Sequence, residues 1–443
     1  MTATSNLPRR WHPLRKHAEQ DQFFNARERF LVAVAGRRSG KTEIAKRRLV
    51  RSALAFSTFP GKFIACAPTR DQAKRIYWDD IKALVPKSLI VDVSETELML
   101  RLVTGTRLGV VGMDKPERAE GEPIDGVILD EFADMKPRAF QASVRPALST
   151  VGRPGWAIFI GKPKGRNHFY QLWNKARSQS DPSWRAFHWR SSTVIDPEED
   201  AAARRDLDPL TYAQEYDADF VNFEGRIYYP FEAAVHANER LPYHDEADLV
   251  FAFDFNVAPG IAVVCQEHRY DGTNPKVAGE ITAVIGEVWI PQNSNTPAVC
   301  RKLAADWGRH KGHVYLYGDA TGGSRGSAKV LGSDWDLIEA ELRPVFGSRL
   351  HLRVPRANPH ERVRVNAMNS RMLTADGRIR MLVDPARAPH VVEDLEGVVA
   401  LEGGSGEIDK SSYPMLTHVS DALGYYVERR HPIVEHVVTS EDI

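Results

Sequence analysis

Residues 34–42 read Val-Ala-Gly-Arg-Arg-Ser-Gly-Lys-Thr, and they constrain the fold more than any other part of this 443-residue chain. The apolar run 30–34 precedes the motif and a helical pattern follows it. A strand, a tight turn and a helix start form a phosphate cradle, because turn N–H groups and the positive helix end face a polyphosphate. Lys41 would reach the outer phosphates and Thr42 would ligate Mg²⁺. The sequence therefore predicts a nucleoside triphosphate site, although Ala35 stands where the usual motif has its first glycine.

A second motif combines an apolar strand, 127–129, with two carboxylates, Asp130 and Glu131. Neighbouring strand residues point to opposite faces, so one carboxylate can serve a metal and the other a water molecule. We expect Asp130 to hold the Mg²⁺ hydration shell near Thr42, and Glu131 to orient and deprotonate the attacking water. A strand end with two solvated carboxylates is the alternative for this pair alone. The residues expected to bind the nucleotide are Ala35, Gly36, Arg37, Arg38, Ser39, Gly40, Lys41, Thr42 and Asp130.

Short apolar strands alternate with helical stretches over roughly the first 170 residues, which predicts a mostly parallel sheet covered by helices. The expected strands are 30–34, 63–67, 107–111, 126–129 and 156–160, and the expected helices are 43–56 and 71–84, with short helices within 195–220. Gly225 and the stretch 230–248 read as a hinge. Beyond it we expect antiparallel strands at 249–254, 260–266 and 281–290, a helix at 298–309, a strand at 314–317 and a closing helix at 418–429.

The charges balance over the whole chain, with 59 basic and 59 acidic side chains, but the halves differ. Residues 1–225 carry 36 basic and 29 acidic side chains, and residues 226–443 carry 23 and 30. A basic first half can attract a polyanion and an acidic second half can hold divalent cations, although scattered solvated charge is an equal alternative. The three cysteines lack metal-ligand spacing, which indicates thiols in a reducing compartment. No apolar run reaches roughly 18 residues, so we expect a soluble, cytosolic protein.

Three aspartates of the second half share a pattern. Asp254 interrupts an apolar strand, Asp319 ends another, and Asp421 follows His418 on the final helix. A carboxylate in an apolar strand is costly unless it is paired or binds a cation. Converging carboxylates could hold two Mg²⁺ or Mn²⁺ ions roughly 4 Å apart and favour phosphodiester cleavage, whereas each aspartate alone reads more readily as a strand-end or cap residue. His418 could assist or simply pack, and Glu287 could join the site or face solvent.

Taken together, these motifs resemble the large terminase subunits of tailed bacteriophages, which package viral DNA and cut it. Residues 35–42 resemble the Walker A motif of that family, including a nucleotide-sensing arginine that would be Arg37 or Arg38. Residues 127–131 resemble its Walker B motif and catalytic glutamate. The aspartates that match its nuclease triad are Asp254, Asp319 and Asp421.

Two further segments carry the resemblance. Residues 161–165, Gly-Lys-Pro-Lys-Gly, resemble the segment that couples hydrolysis to movement, but Gly161 and Lys162 stand where the family often has a hydroxyl residue. Residues 212–220 resemble the segment that closes the ATPase part. The resemblance leaves open whether Gln20 or Gln22 contacts adenine and whether Arg145 or Arg138 acts on a neighbouring subunit's nucleotide; a surface salt-bridge arginine is the alternative for the last two.

The resemblance implies an α/β protein with two domains. A P-loop ATPase domain with a mostly parallel sheet would span 1–225, of which about 171–225 form a closing subdomain, and a linker would follow at 226–247. An RNase H-like nuclease domain with a mixed sheet would span 248–443. The implied cofactors are ATP and Mg²⁺, with Mn²⁺ as a substitute in the nuclease site.

The implied activity is ATP-driven translocation of double-stranded DNA into the capsid, with a two-metal endonuclease cutting at initiation and termination. The implied partners are double-stranded DNA, a portal protein, a small terminase subunit and further copies in a ring, without a membrane, in the host cytoplasm and transiently on the procapsid. An ATP-dependent helicase or nuclease of DNA repair or mobile elements shares both folds and remains the alternative. A non-enzymatic scaffold is a third reading, against which the intact acidic residues argue.

Overall fold

The structure is a computed structural model of the chain. It describes residues 17–55, 60–165, 167–221, 225–237, 240–255, 259–270, 272, 274–292, 294–320, 333–401, 406–412 and 415–433. The chain divides into two compact units, of which the first comprises 1–200 with 213–222 and the second comprises 201–212 with 223–443. The segment 226–247 thus belongs to the second unit, and the predicted domain boundaries stay predictions.

The strands of the first unit are β1 (Phe30–Ala35), β2 (Lys62–Ala67), β3 (Ile90–Ser94), β4 (Met99–Leu102), β5 (Arg107–Gly112), β6 (Gly126–Asp130), β7 (Ser149–Thr150), β8 (Arg153–Pro154), β9 (Trp156–Gly161) and β10 (Trp184–Trp189). Its helices are α1 (Ala18–Asn25), α2 (Lys41–Ala55), α3 (Arg70–Ala73), α4 (Asp79–Leu84), α5 (Arg145–Ala147) and α6 (His168–Arg177), and π-helical turns cover Lys74–Trp78 and Ala139–Val144. Helices α7 (Pro197–Asp206) and α8 (Pro209–Glu215) lie where the two units alternate along the chain.

The main sheet of the first unit has the order β10-β1-β9-β6-β2-β5-β4-β3. Neighbours from β10 to β5 run parallel, and β4 and β3 add an antiparallel edge. Because β1, β9 and β6 run in the same direction, the carboxyl ends of all three meet at one edge. The sheet therefore places the turn after β1 beside Asp130, as the two sequence motifs require.

Strand β1 alternates between two cores, since Leu31, Ala33 and Ala35 pack on one face of the sheet and Val32 and Val34 on the other. Such burial on both faces is typical of a parallel sheet covered by helices. Helix α2 begins at Lys41 rather than at residue 43, and the expected end at residue 56 lies outside the described residues.

The strands of the second unit are β11 (Leu249–Asp254), β12 (Gly260–Arg269), β13 (Val277–Ile290), β14 (Val314–Gly318), β15 (Leu350–Leu352) and β16 (Ile379–Val383). Its helices are α9 (Ala233–His236), α10 (Thr296–Trp307), α11 (Asp334–Phe346), α12 (Glu361–Met372), α13 (Pro389–Gly397) and α14 (His418–Arg430).

The sheet of the second unit has the order β15-β14-β11-β12-β13-β16. Strands β11, β12 and β13 pair antiparallel, whereas β14, β15 and β16 pair parallel to their neighbours. Helices α12, α13 and α14 cover one face, and α10 and α11 cover the other. The predicted α/β class, with a mostly parallel first sheet and a mixed second sheet, is confirmed. No helix within the described ranges is long and apolar enough to cross a membrane.

Candidate functional site

The turn after β1 is held by buried side chains on both sides. Ser39 is fully buried, and its hydroxyl donates to the carbonyl oxygen of Gly36 at 2.6 Å. Gln20 Nε2 and Trp189 Nε1 both donate to the carbonyl oxygen of Ser39, at 2.8 and 3.0 Å. The Gly36 N–H donates in turn to the Trp189 carbonyl at 3.2 Å. These contacts fix the backbone of the phosphate loop before any ligand binds.

The loop changes direction through two residues with left-handed backbone, Arg38 (φ 52°) and Gly40 (φ 73°). Ala35 remains in β1, so the loop proper consists of residues 36–40. Lys41 starts α2 and is 8% exposed, and its Nζ lies 3.5 Å from the Gly36 carbonyl oxygen. The ammonium is therefore aimed into the loop, where it could reach a bound phosphate.

The two motifs meet through a direct hydrogen bond. Thr42 Oγ1 donates to Asp130 Oδ2 at 3.0 Å, and Tyr77 Oη donates to the same oxygen at 2.7 Å. Asp130 is 1% exposed, and its second oxygen accepts from the Glu131 N–H at 2.9 Å. A hydroxyl and a buried carboxylate in contact form a hard-oxygen pair of the kind that Mg²⁺ prefers.

Glu131 combines an uncommon backbone conformation with a carboxylate that lies near Lys41. Its backbone is left-handed (φ 49°), which is uncommon for a non-glycine residue. Its Oε1 lies 4.0 Å from Lys41 Nζ, whereas its buried Oε2 has no hydrogen-bond partner among the described residues. Burial raises the pKa of Glu131 against the opposing charge of Lys41, and Asp130 adds to the rise. A carboxylate with a raised pKa and a spare oxygen suits a general base.

Glu215 links the phosphate loop to the predicted coupling segment. Its carboxylate accepts a hydrogen bond from Arg37 Nε, and Lys162 Nζ lies 2.8 Å from each of its oxygens. Burial acts to raise the pKa of Glu215, but Lys162 and Arg37 outweigh it and hold the pKa below its usual range. Lys162, in the segment 161–165, thus forms a charged contact with Glu215.

The two candidate glutamines for the adenine contact lie in different surroundings, and so do the two candidate arginines for the action on a neighbouring subunit. Gln20 is buried against the phosphate loop, whereas Gln22 is exposed and accepts from Arg185 at 3.3 Å. Arg145 lies 5.3 Å from the Phe30 ring, at the start of β1, and is therefore at the far end of that strand from the loop. Arg138 is exposed. The adenine contact and the action on a neighbouring subunit stay predictions.

In the second unit, two of the three aspartates lie side by side. Phe253 on β11 pairs with Gly318 on the parallel neighbour β14, so Asp254 and Asp319 each follow a paired residue. Adjacent strands lie about 4.8 Å apart, which brings these two residues close together. Asp254 Oδ2 is 3.6 Å from His418 Nδ1, and Asp319 Oδ1 accepts from Asn358 at 2.7 Å.

Asp421 reaches the same place from α14. It is 5% exposed, and its oxygens accept from Arg364 at 2.7 Å and from Lys410 at 2.9 Å. Burial raises its pKa against these two cations, and Asp254 contributes to the rise. Tyr425 Oη lies 3.5 Å from Asp319 Oδ2, and burial raises its pKa against Arg364, with Asp319, Asp254 and Asp421 adding to the rise. The structure thus places Asp254 and Asp319 at one sheet edge, and Asp421 on the helix whose first residue, His418, contacts Asp254; the expected nuclease triad stays a prediction.

The two weaker candidates of this region, His418 and Glu287, lie in different surroundings. His418 opens α14 and contacts Asp254, so it belongs to the cluster. Glu287 does not: its oxygens accept from the N–H groups of His390 and Val391 at 3.1 and 3.0 Å, at the start of α13. The Glu287 side chain is 4% exposed, so the expectations of site membership and of solvation are both corrected. Its carboxylate caps a helix instead.

Several side chains at these sites carried no recognisable sequence signal. Tyr77 lies in a π-helical turn, and Arg364 sits in a helix whose pattern is strongly polar. Lys410 and Glu215 are isolated charges, which sequence patterns cannot distinguish from surface residues. Of these four, Glu215 alone fell within a segment singled out by the resemblance, 212–220.

Comparisons with known proteins agree with the fold and the motifs. Residues 32–233 match the family of the T4-like terminase large subunit, N-terminal part. The large terminase subunit of Escherichia phage T5 is 28% identical over 257 residues, which cover 55% of this chain and 57% of that protein. That of Thermus phage G20c is 29% identical over 231 residues, or 44% and 47%. The chain thus spans about half the length of the curated relatives it matches.

The structural likeness extends over both units. The large terminase of a thermophilic bacteriophage superimposes with a TM-score of 0.54 and 15% identity, covering 93% of this chain and 98% of that one. At this identity the likeness concerns the fold alone. The resemblance to large terminase subunits of bacteriophages that the motifs indicated is thus confirmed, in sequence over residues 32–233 and in fold over both units.

Proposed function

We propose that this chain is a viral DNA-packaging motor that hydrolyses ATP in its first unit and cuts DNA in its second. The observation that carries the proposal is the contact of Thr42 with Asp130 beside the spare oxygen of Glu131. It joins the phosphate loop to an acidic strand end in the way that phosphoryl transfer requires. Relatives that are large terminase subunits support the packaging role, and the thermophilic-phage terminase of similar fold has been solved with ATP-gamma-S.

The ATPase step depends on positioning and charge. Loop N–H groups and the start of α2 would bind the polyphosphate, and Lys41 would neutralise charge on its outer phosphates. Glu131 would accept a proton from the attacking water through its unpartnered oxygen. Its raised pKa favours this, because a general base works best when its pKa approaches the ambient pH.

The residues of the first unit fit a magnesium ion. Thr42 and Asp130 would hold it, since both present hard oxygens 3.0 Å apart and Asp130 is almost fully buried. When bound, the ion would supply charge neutralisation at the phosphates.

The residues of the second unit also fit a hard divalent cation, in part. Asp254 and Asp319 present neighbouring carboxylates, whereas Asp421 is engaged by Arg364 and Lys410. No group of three histidine, cysteine or acidic side chains in the described segments is arranged for a metal ion. In this proposal, Asp421 would release a cationic partner before it joins a two-metal site. Bound Mg²⁺ or Mn²⁺ would activate water and stabilise the leaving oxygen of a phosphodiester.

The partners proposed from the family are double-stranded DNA, a portal protein, a small terminase subunit and further copies in a ring. The motor would work in the host cytoplasm while transiently docked on the procapsid. DNA contacts would be mainly to phosphate, because a packaging motor must accept any sequence.

The proposed ATPase activity is tested by measuring the phosphate that the full chain releases from ATP in the presence of Mg²⁺. Lys41→Ala and Glu131→Gln should each lower turnover by about 10²-fold or more, because they remove phosphate neutralisation and the general base. Lys302→Ala is the matched control: this lysine pairs with Asp306 on the surface of α10 and should leave turnover unchanged.

Wild-type turnover in either the Lys41→Ala or the Glu131→Gln variant would contradict the assignment. Displacement of a third strand from duplex DNA by the wild type, dependent on ATP, would support translocation on a duplex. Strand separation of a labelled fork would instead favour the helicase alternative.

A further inference from the structure

The carboxylate of Glu215, on α8, pairs with two cationic residues that follow neighbouring strands of the sheet. Glu215 accepts from the guanidinium of Arg37, in the loop after β1, and from Lys162, directly after β9. Its side chain is 13% exposed, compared with 39% for Arg37 and 26% for Lys162. One buried negative charge is therefore shared by two more accessible positive charges.

The backbone of Arg37 is held separately from its side chain. Its N–H donates to the Glu215 carbonyl at 2.7 Å, and its own carbonyl accepts from Ser191 Oγ at 2.6 Å. The guanidinium can consequently turn to another partner while the loop stays in place. The phosphates expected in this loop are the strongest competing acceptors, since arginine binds phosphate and carboxylate with the same paired geometry.

Lys162 makes such an exchange feasible. A buried carboxylate that loses its only cation is strongly destabilising, because an unpaired charge remains. Glu215 would not be left unpaired, since Lys162 Nζ lies 2.8 Å from both of its oxygens.

We propose that Glu215 is a positioning residue that competes with the nucleotide phosphates for Arg37, and that Lys162 sets the strength of this competition. The proposal rests on the proposed ATPase function and extends it. Binding of nucleotide moves Arg37 away from Glu215 and leaves Lys162 as the main partner of the carboxylate.

Substitutions at the two partners should then act in opposite directions on nucleotide affinity. Glu215→Gln removes the competitor, so it should tighten nucleotide binding by about three- to tenfold. Lys162→Gln leaves Arg37 as the main cation on Glu215, so it should weaken binding by a similar factor. The double variant tests whether Lys162 acts through that carboxylate, in which case it should behave like Glu215→Gln.

The experiment is titration of the full chain with fluorescent mant-AMP-PNP and Mg²⁺. Glu28→Gln is the control, since it also neutralises a carboxylate paired with an arginine, Arg185, on the same unit but away from the loop. Opposite shifts for the two single variants support the proposal. Equal affinities, or weakening in both, would overturn it, since a merely structural ion pair predicts loss in each. Absence of binding by the wild type would instead refute the proposed ATPase function and the inference with it.

Discussion

Replacement of Gly36 by alanine tests how tightly the phosphate loop is packed. A Cβ at this position would lie 2.3 Å from Ser191 Oγ and 2.4 Å from the Tyr216 carbonyl oxygen. It would also lie 2.8 Å from the backbone nitrogen of Ser191. The Ser191 hydroxyl could rotate, but the two backbone atoms cannot, so the loop and the segment around Tyr216 must separate.

The expected loss in free energy of unfolding combines the cost of overpacking with the cost of the hydrogen bonds that this separation lengthens. Overpacking of this kind costs roughly 1–3 kcal/mol. The hydrogen bonds of Ser191 N–H to Tyr216 and of Arg37 N–H to Glu215, both 2.7 Å, would lengthen, at roughly 1 kcal/mol each. We therefore expect Gly36→Ala to lower the free energy of unfolding of the first unit by roughly 3–5 kcal/mol.

Thermal unfolding followed by circular dichroism and tryptophan fluorescence measures this loss, which should lower the first transition by about 6–20 °C. Gly161→Ala is the control at the end of a neighbouring strand, because a Cβ there has its nearest contact at 3.4 Å, an ordinary distance. A Gly36→Ala protein with the wild-type transition would refute the packing argument.

Three further predictions concern single contacts and conditions. Tyr77→Phe removes a donor to buried Asp130, so urea denaturation should show a loss of roughly 1–2 kcal/mol; an unchanged midpoint would contradict this. Burial raises the pKa of Asp394 to about 6, although Ser420 donates hydrogen bonds to its carboxylate. Folding therefore favours the protonated acid, and the contribution of Asp394 to the free energy of unfolding is full below about pH 4 and is lost as the pH rises through 6. Asp394→Asn should remove roughly 2–3 kcal/mol of that pH dependence, and an identical pH profile of urea midpoints would exclude it. Affinity for duplex DNA, measured by fluorescence anisotropy, should fall by at least about a hundredfold between roughly 50 and 200 mM salt, whatever the sequence; insensitivity to salt would count against phosphate contacts.

The sequence predicted elements whose burial pattern is simple. Strand β1 is apolar throughout, and β2 and β6 are apolar apart from Lys62 and Asp130 at their ends. The bounds of all three strands agree with prediction within one or two residues. Strand β10 was missed because Trp184–Trp189 mixes aromatic residues with Arg185 and His188 at a partly exposed sheet edge. Helix α12 was missed because it buries Arg364 and Arg371, which conceal its core face.

The two sites were predictable to the extent that they follow strand ends. Thr42, Asp130 and Asp254 each terminate or follow an apolar run, and parallel strands bring such ends to one edge. Contacts between distant charges were not predictable: Glu215 lies 178 residues from Arg37, and no periodicity links them. Glu287 failed as a candidate because a helix start that sequence analysis did not detect uses its carboxylate.

The central claim, that two separate centres handle phosphate in this chain, is tested most directly by assaying phosphate release and plasmid nicking side by side on two variants. Glu131→Gln should lose ATP turnover and still nick plasmid with Mn²⁺, whereas Asp319→Asn should hydrolyse ATP normally and fail to nick. Loss of both activities from either single substitution, or wild-type nicking by Asp319→Asn, would contradict the account.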